Sequence, residues 1–592
     1  MHDLVIRGGK VVDGTGAPAR IADIAVDNGI ITAVGEVTGQ GRREIDAKGH
    51  LVTPGWVDIH THYDGQVTWD PMLSPSCWHG VTTVVMGNCG VGFAPARPDA
   101  HDWLIGLMEG VEDIPGTALS EGMKWGWESF PEYLDVLEGQ ERVLDVATQV
   151  PHGAVRAYVM GQRGADNEIA TEDDIAQMAT IVREAVEAGA FGFSTSRTAL
   201  HLSKDGVPVP GTFARADELM GIGRALGEAG RGVFEIASDF AIGQIGGDRI
   251  EGEVEEFAWM KNLSLETGLP VTYALVQSPA EPEGWRRLIA MTDEANRDGA
   301  NVRAQIALRG IGLVMGWQSS VHPFMARTAF APLKDLPPAE RIARLRDPAV
   351  REAILSDPSL DPAMTSVPSV GGVVRIVSTR FDRMFRLDAN GRLDYEPTAE
   401  TSIEALAKRT NETPEALAYD AMMSNDGMGY VYLPVLNYEN YDLEHVRELM
   451  VNPSAVLSLS DGGAHCGVIC DAAAPTFLLT HWVRDRERGE RLPLEAAVAL
   501  QTRDTAHLYG LTDRGVIAPG MKADLNVIDF EHLRMTAPEM LFDLPAGGRR
   551  LIQRSIGYRA TIVSGVVTFE NGEPTGAMPG KLVRSGQIAS AA

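Results

Sequence analysis

Cysteine is scarce in this chain: Cys77, Cys89, Cys466 and Cys470 are the only four among 592 residues. So few, so widely spread, exclude a disulfide-stapled scaffold, and a reducing compartment is the simplest expectation. Long apolar runs are missing too. No stretch reaches the ~18 apolar residues that a membrane-spanning helix needs. The opening MHDLVIRGG has no basic segment followed by an apolar one, so no secretory leader is expected. Positive charge is in deficit, with 52 Lys and Arg against 81 Asp and Glu and a net charge of −29. Gripping phosphates or anionic lipid takes clustered cations, so neither nucleic acid nor membrane is an expected partner. Several catalytic signatures are also absent. No G-x-G-x-x-G follows the first strand, and there is no G-x-S-x-G, H-E-x-x-H or Walker loop. The dinucleotide, serine-hydrolase, zincin and NTPase readings weaken accordingly. What is left is an acidic globular protein expected in the cytoplasm.

The chain changes texture along its length. Its first fifty residues read as short strands with turns, and Asn28-Gly29 between two apolar runs is a hairpin signal. From Pro54 onward, strand-like runs alternate with helical stretches. The strand candidates are Trp56–His60, Val81–Met86, Val143–Val150, Phe191–Thr195, Val233–Ala237, Val271–Val276, Val302–Ala307 and Val456–Ser460. Helices are expected near Asp217–Glu228, Glu251–Glu266 and Leu494–Leu508. Another is expected to open at Thr171 with a capping box to Asp174 and to close at Gly189. Eight strands separated by helices predict an α/β fold of (β/α)8 TIM-barrel type over residues 54–514. An open doubly wound sheet is the alternative. Insertions are expected near 92–140 and 308–452, the latter with helices at Pro338–Arg346 and Ile403–Lys408. After Gly515 short strands return, so residues 1–53 plus 515–592 are expected to form one small β-sandwich domain.

Three features carry chemistry. His60 and His62 lie two apart on an extended run, so both imidazoles point the same way. They end the first barrel strand, on the face where barrel enzymes keep their sites. Two neutral imidazoles there can chelate a divalent metal such as zinc; two polar residues at a strand end is the plainer reading. Cys89, in Gly87-Asn88-Cys89-Gly90, is either a soft thiolate ligand or a small buried thiol. Asp461, before Gly462-Gly463, is either a metal-touching proton acceptor or the start of a turn.

Together, these segments resemble the amidohydrolase superfamily, and within it the N-acyl-D-amino-acid deacylases. The resemblance spans nearly the whole chain. It is carried by LVIRGGKVVDGTG at 4–16, TPGWVDIHTHYDGQ at 53–66, GVTTVVMGNCG at 80–90 and PHGAVR at 151–156. GAFGFSTS at 189–196, SDGG at 460–463 and GVIAPGMKADLNVID at 515–529 complete it. The resemblance implies a metal-dependent hydrolase acting on the amide bond of an N-acyl amino acid or similar small molecule. It implies that His60, His62 and Asp461 bind one metal, that Cys89 binds a tighter zinc, and that Asp461 moves the proton. One or two Zn2+ ions, or another divalent metal, would then be bound.

The sequence departs from that family at one place. No histidine occurs between His201 and His322, so the family's two histidines on strands five and six are missing. Glu235 is the expected substitute ligand, a salt-bridged strand-end Glu being the competing view. Tyr273 is expected to contact substrate or to pack, His465 to line the substrate pocket or complete a metal site, and Arg197 to grip a substrate carboxylate, with a surface ion pair as its alternative. His152 is expected behind the metal ligands; the Trp and Met residues between Trp103 and Trp127 either shape an apolar acyl pocket or are simply core, the commoner case. Two rival functions remain. One is opening of cyclic amides or lactams. The other is a metal-free barrel serving as a binding or assembly protein. Under any of these readings homo-oligomerisation stays open.

Overall fold

Apolar alternation at both chain ends builds a single nine-stranded sheet. The computed structural model describes residues 1–238, 240, 252–361 and 368–587. His2–Val11 pairs antiparallel with Arg20–Asp27 and parallel with Gly41–Asp46 and Leu51–Pro54. Leu51–Pro54 then pairs antiparallel with Leu525–Ile528, which lies beside Tyr558–Val563. The sheet's core holds Ile6, Ile24 and Val52 from one end and Leu525, Val527 and Ile562 from the other. The expected hairpin forms between Arg20–Asp27 and Ile30–Gly35. Its turn residues take φ of 52° at Asn28 and 78° at Gly29, the left-handed pair that Asn-Gly tolerates best.

The eight middle strand candidates all form parallel strands, the third broken at Gln149 into Asp145–Thr148 and Val150–Pro151, which count here as one. Trp56–Asp58, Val81–Met86 and Asp145–Thr148 form one arc. Val150–Pro151, Gly192–Arg197, Val233–Ser238, Val271–Ala274, Val302–Ile306 and Ala455–Leu457 form the other. The order runs consecutively, without the reversal of a doubly wound sheet. The arcs approach twice. Phe191 N donates to Thr148 O at 2.8 Å, and Thr61 bridges Gly462 in parallel. The first and last strands are shorter than the sequence suggests. Leu459 and Asp461 take φ of 55° and 48°, so the chain leaves the ladder there.

Helices fill the gaps. Glu172–Ala188 carries the expected capping box, with Thr171 and Asp174 bonded reciprocally, and Gly189 ends it at φ 126°. Glu253–Thr267 matches its expectation, although Glu251, where that expectation began, lies outside the described residues. The helix expected over Leu494–Leu508 is two, Leu494–Leu500 and Arg503–Leu508. Gln501, at the break, accepts from Val57 N at 3.1 Å and donates back to Val57 O at 3.2 Å. A tertiary bond to the first parallel strand thus outweighs helix continuity.

Residues 308–452 hold their own apolar core, in which Trp317 stacks on Phe324 and meets Tyr419 edge-on. Residues 92–140 carry the helices His101–Glu112, Gly116–Gly122 and Phe130–Glu138. Met108, Met123 and Trp127 there are buried in the main core, and Trp103 and Trp125 pack against it. Among the described residues, no helix is long and apolar enough to cross a membrane.

Candidate metal centre

His60 and His62 follow the first parallel strand, and both are buried. Two-residue spacing places their rings 5.3 Å apart. Cys89 reaches them from the turn after the second strand, where its φ is 57°. Its Sγ lies 3.3 Å from His60 Nε2. One ligand atom from each of His60, His62 and Cys89 falls within 4.8 Å of the others. Asp461 arrives from the far side, its Oδ1 3.6 Å from His60 Nε2 and 3.7 Å from His62 Nε2. Glu235, on the fifth parallel strand, accepts from Cys89 N through Oε2 at 3.0 Å. Its Oε1 is buried without a partner. His465, whose φ is 47°, completes the rim. Four non-glycine residues held in the left-handed region, Cys89, Leu459, Asp461 and His465, therefore crowd one place. Such strain persists where the surroundings over-determine the backbone, commonly at functional sites.

The imidazoles are aimed from behind. Gln305 Oε1 lies 3.0 Å from His60 Nδ1 and takes a bond from Ser458 Oγ at 2.7 Å. That acceptor fixes the His60 tautomer, so Nε2 presents its lone pair to the cluster. Asp58 accepts from His60 N and from Ser460 Oγ.

Charge is unbalanced here. Burial raises Glu235 to about 7 and Asp58 to about 6. Burial also raises Glu112 well above the carboxylate range, with Asp461, Asp64 and Glu235 adding to the shift. Burial lowers His62 to about 4. Asp461 alone is held well below its usual range. Burial pushes it up, but the His62 hydrogen bond and the His60, His62 and His465 charges outweigh that. A buried thiol, imidazoles and several carboxylates, two of them with an orphaned oxygen at Glu235 and Asp64, form a donor set that suits a divalent cation. The chain's own residues thus fit a zinc-type ion.

Not every expected residue comes here. Arg197 pairs bidentately with Glu256 at 2.8 and 2.7 Å, and its Nη1 donates to the carbonyls of Thr212 and Ala214. Arg197 thus lies in a buried ion pair, where the sequence offered a substrate grip or a surface pair. Tyr273 packs within the fold, the second of its two expectations. Its hydroxyl meets Thr292 Oγ1 at 2.6 Å and Leu288 O, so the ring faces the helix layer. His152 sits between Thr195 and Glu218, each at 2.9 Å, in a group shared with Arg156. Those contacts hold strand to helix and do not reach the cluster.

Three residues join the site without a sequence expectation. Gln305 was open to discovery, since alternation along the seventh strand aims it inward. His201, bonded to Ser196 Oγ at 3.0 Å, lies within electrostatic reach of His62, Asp461 and His465. Glu112 ends a helix in the first insertion, and no local pattern signals where that helix docks.

Comparison with known proteins adds ancestry. The sequence model of the amidohydrolase family matches residues 43–569. D-aminoacylase of Alcaligenes xylosoxydans xylosoxydans is 34% identical over 194 residues, 33% of this chain and 37% of that protein. N-acyl-D-glutamate deacylase of the same organism is 26% identical over 599 residues, 98% of this chain and 96% of that protein. Among solved structures, N-acyl-D-glutamate deacylase from Bordetella bronchiseptica, complexed with zinc and a phosphonate inhibitor, has a TM-score of 0.63 at 23% identity. It covers 99% of this chain and 100% of that one.

Proposed function

This chain belongs to the amidohydrolase family, and from that premise we propose that it is a metal-dependent hydrolase of the amide bond in an N-acyl amino acid or a similar small amide. The convergence of His60, His62 and Cys89 on one point carries the reading. In this reading the eight consecutive parallel strands close as a (β/α)8 barrel over residues 54–514, with insertions near 92–140 and 308–452. Residues 1–53 plus 515–592 form the small β-sandwich domain. The Thr148–Phe191 and Thr61–Gly462 contacts support the closure.

His60, His62, Cys89 and Asp461 would hold the ion, with Glu235 in place of the family's missing histidines. A bound divalent ion supplies a Lewis acid for the amide carbonyl and acidifies water. Asp461 accepts the proton of the attacking water at Oδ1 or Oδ2 and delivers it to the leaving nitrogen. Its imidazole neighbours keep it ionised. Gln305 and Asp58 keep His60 in one orientation through the cycle.

Elemental analysis of protein purified without chelator, followed by turnover of a substrate panel, tests the reading. The expected result is one or two equivalents of zinc per chain and faster hydrolysis of N-acyl amino acids than of cyclic amides. Protein that carries no metal and gains none on incubation with zinc would overturn it. Preference for lactams would redirect it to ring opening. Comparing D with L enantiomers then fixes the stereochemistry.

A further inference from the structure

Glu112 is the last residue of the inserted helix His101–Glu112, and it is 2% exposed. The helix buries Leu104, Leu107, Met108 and Val111 in the main core, which sets its axis. Its C-terminal end is then clasped to the loop after the eighth parallel strand. Asp113 accepts from Gly467 N at 3.1 Å and from Ser320 Oγ at 2.5 Å. Glu112 O accepts from His465 N. Two consecutive residues therefore hold the loop that carries Asp461 and His465.

The Glu112 side chain turns the other way, into the cluster. Its Oε1 lies 3.2 Å from His62 Nδ1, and its Oε2 3.6 Å from His465 Nε2. Among the described residues these two imidazoles are its only ionic contacts. A carboxylate this buried is costly unless something repays its desolvation. Neither imidazole contact has hydrogen-bond geometry, and His62 Nδ1 is without a hydrogen-bond partner. His62 Nδ1 thus faces Glu112 while its Nε2 faces Asp461. The relation matches that of Gln305 to His60 on the opposite wall.

We propose that Glu112 is the positioning residue of the metal centre, orienting His62 through Nδ1 and keeping His465 against the rim. The proposal rests on the reading of His60, His62 and Cys89 as metal ligands. It gives the first insertion a task, because the inserted helix delivers the carboxylate that no parallel strand supplies. Carboxylates behind metal-bound imidazoles set ring orientation and ligand basicity, and their loss typically weakens metal affinity by about 10–100-fold.

The test is zinc affinity, by chelator competition, and the visible absorption of the cobalt-loaded full chain, in the parent, Glu112→Ala, Glu112→Gln and Glu109→Ala. The expected result is an affinity loss of about 10–100-fold in Glu112→Ala with an altered cobalt spectrum. Glu112→Gln should recover part of the loss, because an amide oxygen can still accept from Nδ1. Glu109→Ala, one turn earlier, should match the parent. Parent-like affinity and spectrum in both Glu112 variants overturn the proposal and leave the metal-site reading standing. A parent that binds neither zinc nor cobalt overturns both. If Glu112→Ala does not fold, by thermal melting, Glu112→Gln decides on the same criterion.

Discussion

Two buried charge clusters in this protein are built on opposite terms. At the seam between the nine-stranded sheet and the parallel strands, Asp145 accepts from Arg514 Nη1 at 2.6 Å and Lys522 Nζ at 2.7 Å. Its other oxygen accepts from Lys581 N at 2.9 Å. Lys522 also holds Asp524 at 2.8 Å through both oxygens. Every carboxylate oxygen there faces a cation or an amide. Around Cys89, carboxylates meet histidines and one another, and Glu235 Oε1 and Asp64 Oδ2 meet nothing. The first cluster is complete and serves the fold. The second lacks positive charge, which is how a site differs from a strut.

Mutations should separate the two. The largest effect is expected for Asp461→Asn. It should fold with an unchanged circular dichroism spectrum and lose about 10²–10⁴-fold or more in kcat. Full turnover in that variant would remove Asp461 from proton transfer. Next comes Asp145→Ala, which removes the buried carboxylate that Arg514 and Lys522 share. It should cost about 3–5 kcal/mol in denaturant unfolding, while the protein that stays folded keeps its kcat. A loss of kcat without a loss of stability would reverse the comparison.

The pH dependence of the seam has a definite sign. Burial would raise Asp145, but the Lys522 and Arg514 charges outweigh it and hold the carboxyl below its usual range. Its contribution is therefore complete above the unfolded-state value of about 4 and is lost as pH falls through the lower folded-state value. The stability gap between parent and Asp145→Asn should be flat from neutral pH down to about 5 and shrink below about 4. A gap that widens on acidification contradicts the seam's assignment. Smaller again is Glu235→Gln in metal-free protein. Above about pH 8, where this carboxyl is ionised, removing its uncompensated charge should raise stability by about 1 kcal/mol, opposite in sign to the seam; the variant should also weaken metal binding. The smallest effect is expected for Tyr273→Phe. It loses the Thr292 contact, about 0.5–1.5 kcal/mol of stability, and leaves KM unchanged in steady-state assays.

The same contrast explains what the sequence made legible. The eight parallel strands are readable because apolar runs and turn residues are local signals. His60, His62, Cys89 and Asp461 are readable because each closes or follows such a run. Arg197 and Tyr273 are harder to read because a strand residue has two faces, and only packing decides which face looks inward. Glu256 and Thr292, the partners that claim them, come from helices with no pattern linking them to those strands. Glu112 is hidden for the same reason. Its position depends on how Leu104 and Met108 seat one helix and on how Asp113 clasps a loop more than three hundred residues away in the chain. The left-handed backbone at Cys89, Asp461 and His465 is likewise a tertiary product.

The antiparallel pairing of Leu51 with Ile528 has a consequence for the making of this protein. A ribosome adding about 5–20 residues per second releases the first of these partners tens of seconds before the second. For that interval His2–Pro54 is a set of strands with an open edge, and its apolar face awaits Leu525, Val527 and Ile562. Parallel strands can begin to assemble meanwhile, but the sheet that Asp145 ties to them is finished last. Nascent chains should therefore stay protease-sensitive at their beginning until their end has emerged, and demand on chaperones should concentrate there.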